Sequence, residues 1–291
     1  MNEDWSILLP APECPSLPVL NEILNGGQSF AWDQQADGSW RGVIWDNVFD
    51  LKRSEAGELL FRTGVPGARA EARNILLDYW AADIPWSQLA DSLPWRSDPV
   101  LKGAMTAFAG LRILRQPVEE TLLAFLCSSL KGIPQIKVMM RTMAERFGNP
   151  LRESGRHTVP SWEQLAGVGE AGLRACGLGY RAKYVAATAQ RLGEQQAFFE
   201  ELKALPAVEA KTQLMTLPGV GAKIADCVCL FGLGHLGAFP IDTWILRGLE
   251  NCYGLSGWSP LQLEQFAQRH FGANAGLAQQ FIFSALRHRA I

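Results

Sequence analysis

Apolar and polar residues alternate along Gln28–Asp33 and Trp40–Asp46, on either side of Gln35-Ala36-Asp37-Gly38. A period of two turns one face of each run inward, and an Asp-Gly pair between two such runs is a hairpin signal. Val48–Arg53 and Leu59–Arg62 repeat the pattern around Ser54–Gly57, so this stretch predicts an antiparallel sheet. From Arg69 to Ala82 the spacing lengthens to a helical period, and Trp86–Leu93 keeps it. After Asp98 the pattern is helical to the end, over Asp98–Ile113, Val118–Leu130, Pro134–Phe147, Ser161–Cys176, Tyr180–Gln195, Ala207–Thr216, Gly221–Leu233, Asp242–Tyr253, Ser259–Phe271 and Ala275–Arg287. Asp98-Pro99, Ser161 and Ser259-Pro260 supply capping oxygens or a preset backbone angle where helices should begin. The expected fold is α+β: an N-terminal antiparallel-sheet domain with helices over 1–105, followed by an all-helical domain over 106–291.

Composition narrows the class. With 291 residues, 48% hydrophobic and 19% charged, the chain can build a core without disulfides or a structural metal. No apolar run approaches the ~20 residues of a membrane helix, and no basic-then-apolar leader opens the chain, so neither a membrane partner nor a cleaved signal is expected. Six scattered cysteines (Cys14, Cys127, Cys176, Cys227, Cys229 and Cys252) read as reduced intracellular thiols. Cys227-x-Cys229 is one residue too close for a zinc pair, and no four-cysteine cluster motif is present, so no metal or cofactor is expected. Net charge is −2, but residues 1–100 carry −8 and residues 101–291 carry +6, which would draw a polyanion to the second part.

The informative stretch is Leu214-Met-Thr-Leu-Pro-Gly219-Val-Gly221-Ala-Lys223-Ile-Ala-Asp-Cys227. One helix ends, Gly219 and Gly221 turn the chain, and a new helix offers free amides at its positive end, a site for a DNA phosphate read without regard to sequence. Ala166-Gly167-Val168-Gly169-Glu170 has the same glycine spacing but an acid where Lys223 stands, and reads as a structural turn. Lys223 falls in the first helical turn, where the dipole disfavours a cation and favours the nucleophilic neutral amine. Pro240-Ile241-Asp242 leads into a helix, so Asp242 is a natural N-cap that could also stabilise positive charge developing at a sugar carbon.

The Leu-Pro-Gly-Val-Gly-Ala-Lys hairpin and Asp242, nineteen residues after Lys223, resemble the helix–hairpin–helix glycosylases, and among them the 8-oxoguanine DNA glycosylase/AP lyase family. Gly26-Gly-Gln-Ser-Phe-Ala-Trp32, Cys127-Ser-Ser, Gly177-Leu-Gly-Tyr180-Arg181-Ala-Lys-Tyr184 and Ala275-Gly-Leu-Ala-Gln279-Gln-Phe-Ile-Phe283 match that family in order, over residues 20–290. The resemblance implies that Lys223 attacks the deoxyribose C1′, leaving a Schiff base that eliminates the 3′ phosphate, while Asp242 stabilises the oxocarbenium-like charge. It places Gly27, Cys227, Gln279 and Phe283 around the damaged base. Tyr180 would be the wedge, Arg181 the reader of the widowed cytosine, and Gly219 and Gly221 the phosphate hairpin. The implied partner is double-stranded DNA carrying oxidised guanine, bound by a monomer inside the cell, where the DNA is.

Two positions depart from the family pattern. Leu130-Lys-Gly-Ile-Pro-Gln135 stands where consecutive asparagines and an arginine are usual, so Leu130 would fill the vacated stack sterically and discriminate the opposite base less. Trp244 replaces a histidine that contacts phosphate. Two other readings remain open at this stage: a related glycosylase for another damaged base, and a non-catalytic helix–hairpin–helix DNA-binding module.

Overall fold

The computed structural model describes residues 5–64, 69–151, 154–195 and 197–291. Strands β1 (Ser6–Leu9), β2 (Trp32–Gln34), β3 (Trp40–Ile44), β4 (Asn47–Arg53) and β5 (Leu59–Thr63) form one antiparallel sheet in the order β1-β5-β4-β3-β2. Trp40 pairs with Leu51, and Leu51 with Phe61, so alternation brings large apolar side chains to one buried face. On the other face Asp50 accepts hydrogen bonds from Arg41 and Arg62, which hold its carboxyl below the usual range although burial pushes the other way.

Helices α1 (Leu17–Asn25), α2 (Arg69–Tyr79), α3 (Trp86–Ser92) and α4 (Pro99–Ala107) surround the sheet. There follow α5 (Val118–Leu126), α6 (Ile133–Phe147), a short hairpin of β6 (Pro150–Leu151) and β7 (Arg156–His157), α7 (Trp162–Leu173), α8 (Ala182–Glu194), α9 (Phe198–Lys203), α10 (Ala207–Met215), α11 (Ala222–Phe231), α12 (Thr243–Tyr253), α13 (Pro260–Phe271) and α14 (Ala275–Arg287). The expected α+β architecture is therefore the observed one.

Several expected elements are shorter than their patterns. Gln28–Ala31 is a loop, because the Gln28 carboxamide bonds the backbone of Arg112 (3.0 Å) and Leu114 (2.9 Å) and stays out of the ladder. The helix expected to reach Ile113 stops at Ala107, and the chain beyond Gly110 runs past that loop. The helix expected to reach Leu130 ends at Leu126, freeing Ser128–Gly132 as a loop. The sequence pattern did not predict β1, α1, the β6–β7 hairpin or α9, although Ser16 and the apolar spacing of Val19, Leu20, Ile23 and Leu24 carry the signal for α1.

Burial is organised around two centres. The first joins the sheet and α1–α4 to α12–α14 from the far end of the chain, and the second gathers α5 to α11. Helices α5 and α11 supply residues to both, with Phe125, Cys227, Leu230 and Phe231 in the first and Leu122, Ala225, Val228 and Cys229 in the second. The seam between the centres therefore runs along these two helices.

Glu120 on α5 faces a cavity of about 100 Å³ behind Phe30 and Phe125, with no hydrogen bond or ion pair to any described residue. Burial, with Glu119 beside it, pushes its carboxyl up to about 8. The fold therefore holds a proton that the unfolded chain releases, so this group's contribution is full below an ordinary glutamate pKa and is lost as pH rises through about 8. Glu120→Gln should flatten the dependence of melting temperature on pH and raise the melting temperature above the wild-type value at about pH 9. Superimposable melting profiles for the two proteins would contradict this.

Candidate active site

The turn between α10 and α11 is built for close approach. Gly219 has φ +80°, and a Cβ there would lie 2.6 Å from the Tyr184 side chain, so only glycine fits. Helix α8 braces the turn from below: Thr188 Oγ1 donates to the Pro218 carbonyl at 2.9 Å and Arg191 Nη1 to that of Thr216 at 2.6 Å. Gly221 occupies the N-cap of α11 and has no side chain with which to cap it. The first-turn amides of α11 are thus available to an anion.

Lys223 is the second residue of α11 and half-buried. Its Nζ lies 3.3 Å from Ser128 Oγ and 5.0 Å from the Phe125 ring centre, and no carboxylate among the described residues pairs with it. One turn further on, Cys227 is fully buried, and burial pushes its thiol up to about 12, so it is a neutral wall and not a second nucleophile. Asp242 caps α12, with Oδ1 accepting the amides of both Trp244 and Ile245 at 2.9 Å. Oδ2 makes no hydrogen bond to a described residue, so one oxygen serves the helix and the other is left for chemistry.

These groups share a cleft of about 870 Å³ beside the seam. Of the residues singled out from sequence, Gly27, Leu130, Gly221, Lys223, Cys227, Asp242, Trp244, Gln279 and Phe283 all line it. Gly27 has φ +103°, and a Cβ there would come within 2.9 Å of Ile133 Cδ1 and 4.0 Å of the Phe283 ring. The rest of its signature is scaffold: Ser29 and Trp32 both hydrogen-bond the Tyr79 hydroxyl, at 2.9 and 3.1 Å. Gln279 is buried, its Nε2 donating to the Pro240 carbonyl at 3.1 Å and its Oε1 accepting from Gln280 at 2.7 Å. Leu130 projects from the rim, 90% exposed at φ +56°, a conformation a leucine adopts only where the surroundings hold it.

Tyr180, Arg181 and Gly219 lie outside the cleft lining. Tyr180 reaches the same rim through its hydroxyl, 2.9 Å from Ser129 Oγ. Arg181 is turned inward and buried, stacked 4.5 Å from the Tyr180 ring centre and donating to the carbonyls of Ser129 and Leu178. Sequence reasoning passed over Phe125, Ser128, Ile133, Gln280 and Arg287, which also line the cleft. Ser128 and Gln280 stand inside the family-like motifs, whereas Phe125 and Ile133 have the spacing of ordinary core. Among the described residues, no three His, Cys, Asp or Glu side chains converge where a metal ion could be held.

The family model for the 8-oxoguanine DNA glycosylase N-terminal domain matches residues 14–122. The N-glycosylase/DNA lyase of Saccharomyces cerevisiae is 31% identical over 271 residues, covering 81% of this chain and 69% of the yeast protein. The N-glycosylase/DNA lyase OGG1 of Arabidopsis thaliana is 30% identical, covering 89% of this chain and 74% of that protein. The Clostridium acetobutylicum 8-oxoguanine glycosylase/lyase, solved with double-stranded DNA containing cytosine opposite the lesion, superposes with a TM-score of 0.86 at 28% identity, over 94% of this chain and 92% of that one. Sheet, hairpin and cleft thus have the architecture of a DNA glycosylase of the helix–hairpin–helix class. Within that class, the chain belongs to the 8-oxoguanine DNA glycosylase/lyase family.

Proposed function

We propose that this chain is a bifunctional DNA glycosylase/AP lyase of base excision repair that removes 8-oxoguanine from duplex DNA, with Lys223 as its nucleophile. The observation that carries the reading is the placement of Lys223 and Asp242 in one cleft with the Gly27 loop and Phe283. C1′ of a stacked nucleotide is out of reach, so the lesion is first rotated out of the duplex, at a cost of a few kcal/mol. The Gly27 carbonyl accepts the N7–H that 8-oxoguanine has and guanine lacks; guanine would set a lone pair against it. Phe283 and Cys227 cover the two faces of the base, and Gln279 meets its pairing edge.

The Lys223 nitrogen attacks C1′ with its lone pair. A C–N bond forms as the glycosidic bond breaks, and the base leaves with that electron pair and takes up a proton. Asp242 Oδ2 opposes the positive charge at the sugar. One proton passes from the nitrogen to the ring oxygen as the C1′–O4′ bond breaks, which gives the protonated Schiff base; loss of a C2′ proton then forms the C2′–C3′ double bond and the 3′ phosphate leaves with the C3′–O electron pair. The amides beyond Gly221 grip a phosphate, and Trp244 stacks at the flanking nucleotide. We place the protein with the DNA inside the cell, acting as a monomer.

The test is release of free base from duplexes differing only in 8-oxoguanine or guanine at one position, without added metal. Release coupled to strand scission, from the lesion duplex alone, is expected. Equal release from both duplexes, or none from either, would overturn the assignment.

The vacated stack gives a second prediction. Leu130 is the exposed apolar tip, and the Arg181 donors are engaged by the Ser129 and Leu178 carbonyls, which supports steric filling over reading of the opposite base. Lesion:C and lesion:A duplexes should be cut at rates within about threefold of each other, and Leu130→Ala should slow both by roughly tenfold. A strong preference for cytosine that Leu130→Ala leaves unchanged would contradict this.

A further inference from the structure

Glu22 and Arg287 have no part in the chemistry above, yet they tie together two walls of the base pocket. Glu22, on the last turns of α1, is 4% exposed. Its Oε1 accepts from Ser284 Oγ and Arg287 Nη1, both at 2.9 Å, and its Oε2 bonds His288 Nε2 at 2.9 Å. All three partners follow Phe283 within about a turn and a half of α14 or its C-cap. Arg287 Nη1 also donates to the Gly26 carbonyl at 2.7 Å, and its guanidinium lies 5.5 Å from the Phe283 ring centre.

That carbonyl belongs to the peptide whose N–H is that of Gly27. Holding it holds one of the two peptide planes flanking the Gly27 Cα, the reference from which the Gly27 φ of +103° aims the next carbonyl. Nothing in the backbone of a glycine would hold such an angle by itself. One guanidinium, itself held by a buried carboxylate, therefore sets both the carbonyl on one side of the pocket and the ring on another.

We propose that Arg287, oriented by Glu22, is a positioning residue that determines discrimination between 8-oxoguanine and guanine. The proposal rests on the reading that the Gly27 carbonyl recognises the lesion. It predicts an asymmetry between the two activities: base excision needs the pocket, whereas strand cleavage at a preformed abasic site needs Lys223 but no base.

Arg287→Gln should lower excision of 8-oxoguanine, read as kcat/KM, by roughly tenfold to a hundredfold, the penalty of displacing a positioned group by about 1 Å. It should narrow the 8-oxoguanine-to-guanine ratio and leave cleavage of an abasic duplex within about twofold. Arg287→Lys, which keeps one donor for Gly26 and loses the stacked plane, should recover part of the ratio. A wild-type ratio in Arg287→Gln overturns the proposal, as does an equal fall in both activities, which would mean a merely structural role. Gly27→Ala separates the proposal from the reading beneath it. If that variant shifts the ratio and Arg287→Gln does not, the positioning claim alone fails; if neither shifts it, recognition by Gly27 fails with it.

Discussion

Lys223→Gln should reduce base release by at least about a thousandfold while DNA affinity changes no more than about threefold. Glutamine keeps much of the length of lysine and its contact with Phe125 but has no free amine to add to C1′. The expected loss in binding is that of one cation near one phosphate, because the amides beyond Gly221 and the wedge residues are untouched. Single-turnover release from a lesion duplex, alongside fluorescence anisotropy on the same duplex, separates the two quantities. Turnover within tenfold of wild type would mean that water, activated by Asp242, is the nucleophile. Binding that Lys223→Gln barely alters, with no base release from the wild-type protein either, would favour a module that merely grips DNA.

Asp242 is expected to show a split that only a group with two functions can produce. Oδ1 caps α12 through the amides of Trp244 and Ile245, whereas Oδ2 has no hydrogen bond to a described residue. Asparagine caps about as well as aspartate but brings no charge. Asp242→Asn should therefore unfold within a few tenths of a kcal/mol of wild type and still lose roughly a hundredfold to a thousandfold in base release, the usual range for removing a preorganised electrostatic group. Asp242→Ala should lose activity to the same extent and about 1 kcal/mol of stability as well. If Asn retains activity and Ala does not, the carboxylate acts only as a cap, and positive charge at the sugar is stabilised elsewhere.

The parts legible in sequence were those whose signal is local. The Gly219–Gly221 turn, the cap at Asp242 and most helix starts follow from backbone preferences of a few adjacent residues, and Lys223 was conspicuous because it violates a helix rule. What stayed hidden depends on residues far apart in the chain. Gln28 sits in an alternating run and reads as strand; its carboxamide is instead satisfied by the backbone of residues 112 and 114. Arg181 has the composition of a surface contact, but the Ser129 and Leu178 carbonyls draw it inward. Phe125 and Ile133 have core spacing and are largely buried, yet part of each meets the cleft, which no periodicity distinguishes. Helix α1 carries a local signal of its own, Ser16 before an apolar stripe, and it delivers Gly27 and carries Glu22.

The central claim is a covalent bond between Lys223 and the sugar, and trapping tests it most directly. Borohydride reduction during reaction with a duplex bearing one 8-oxoguanine should give a protein–DNA adduct. Peptide mapping should place the modification on Lys223, and Lys223→Gln should give none. An adduct on another residue, or base release with no adduct in the wild-type protein, would contradict the account.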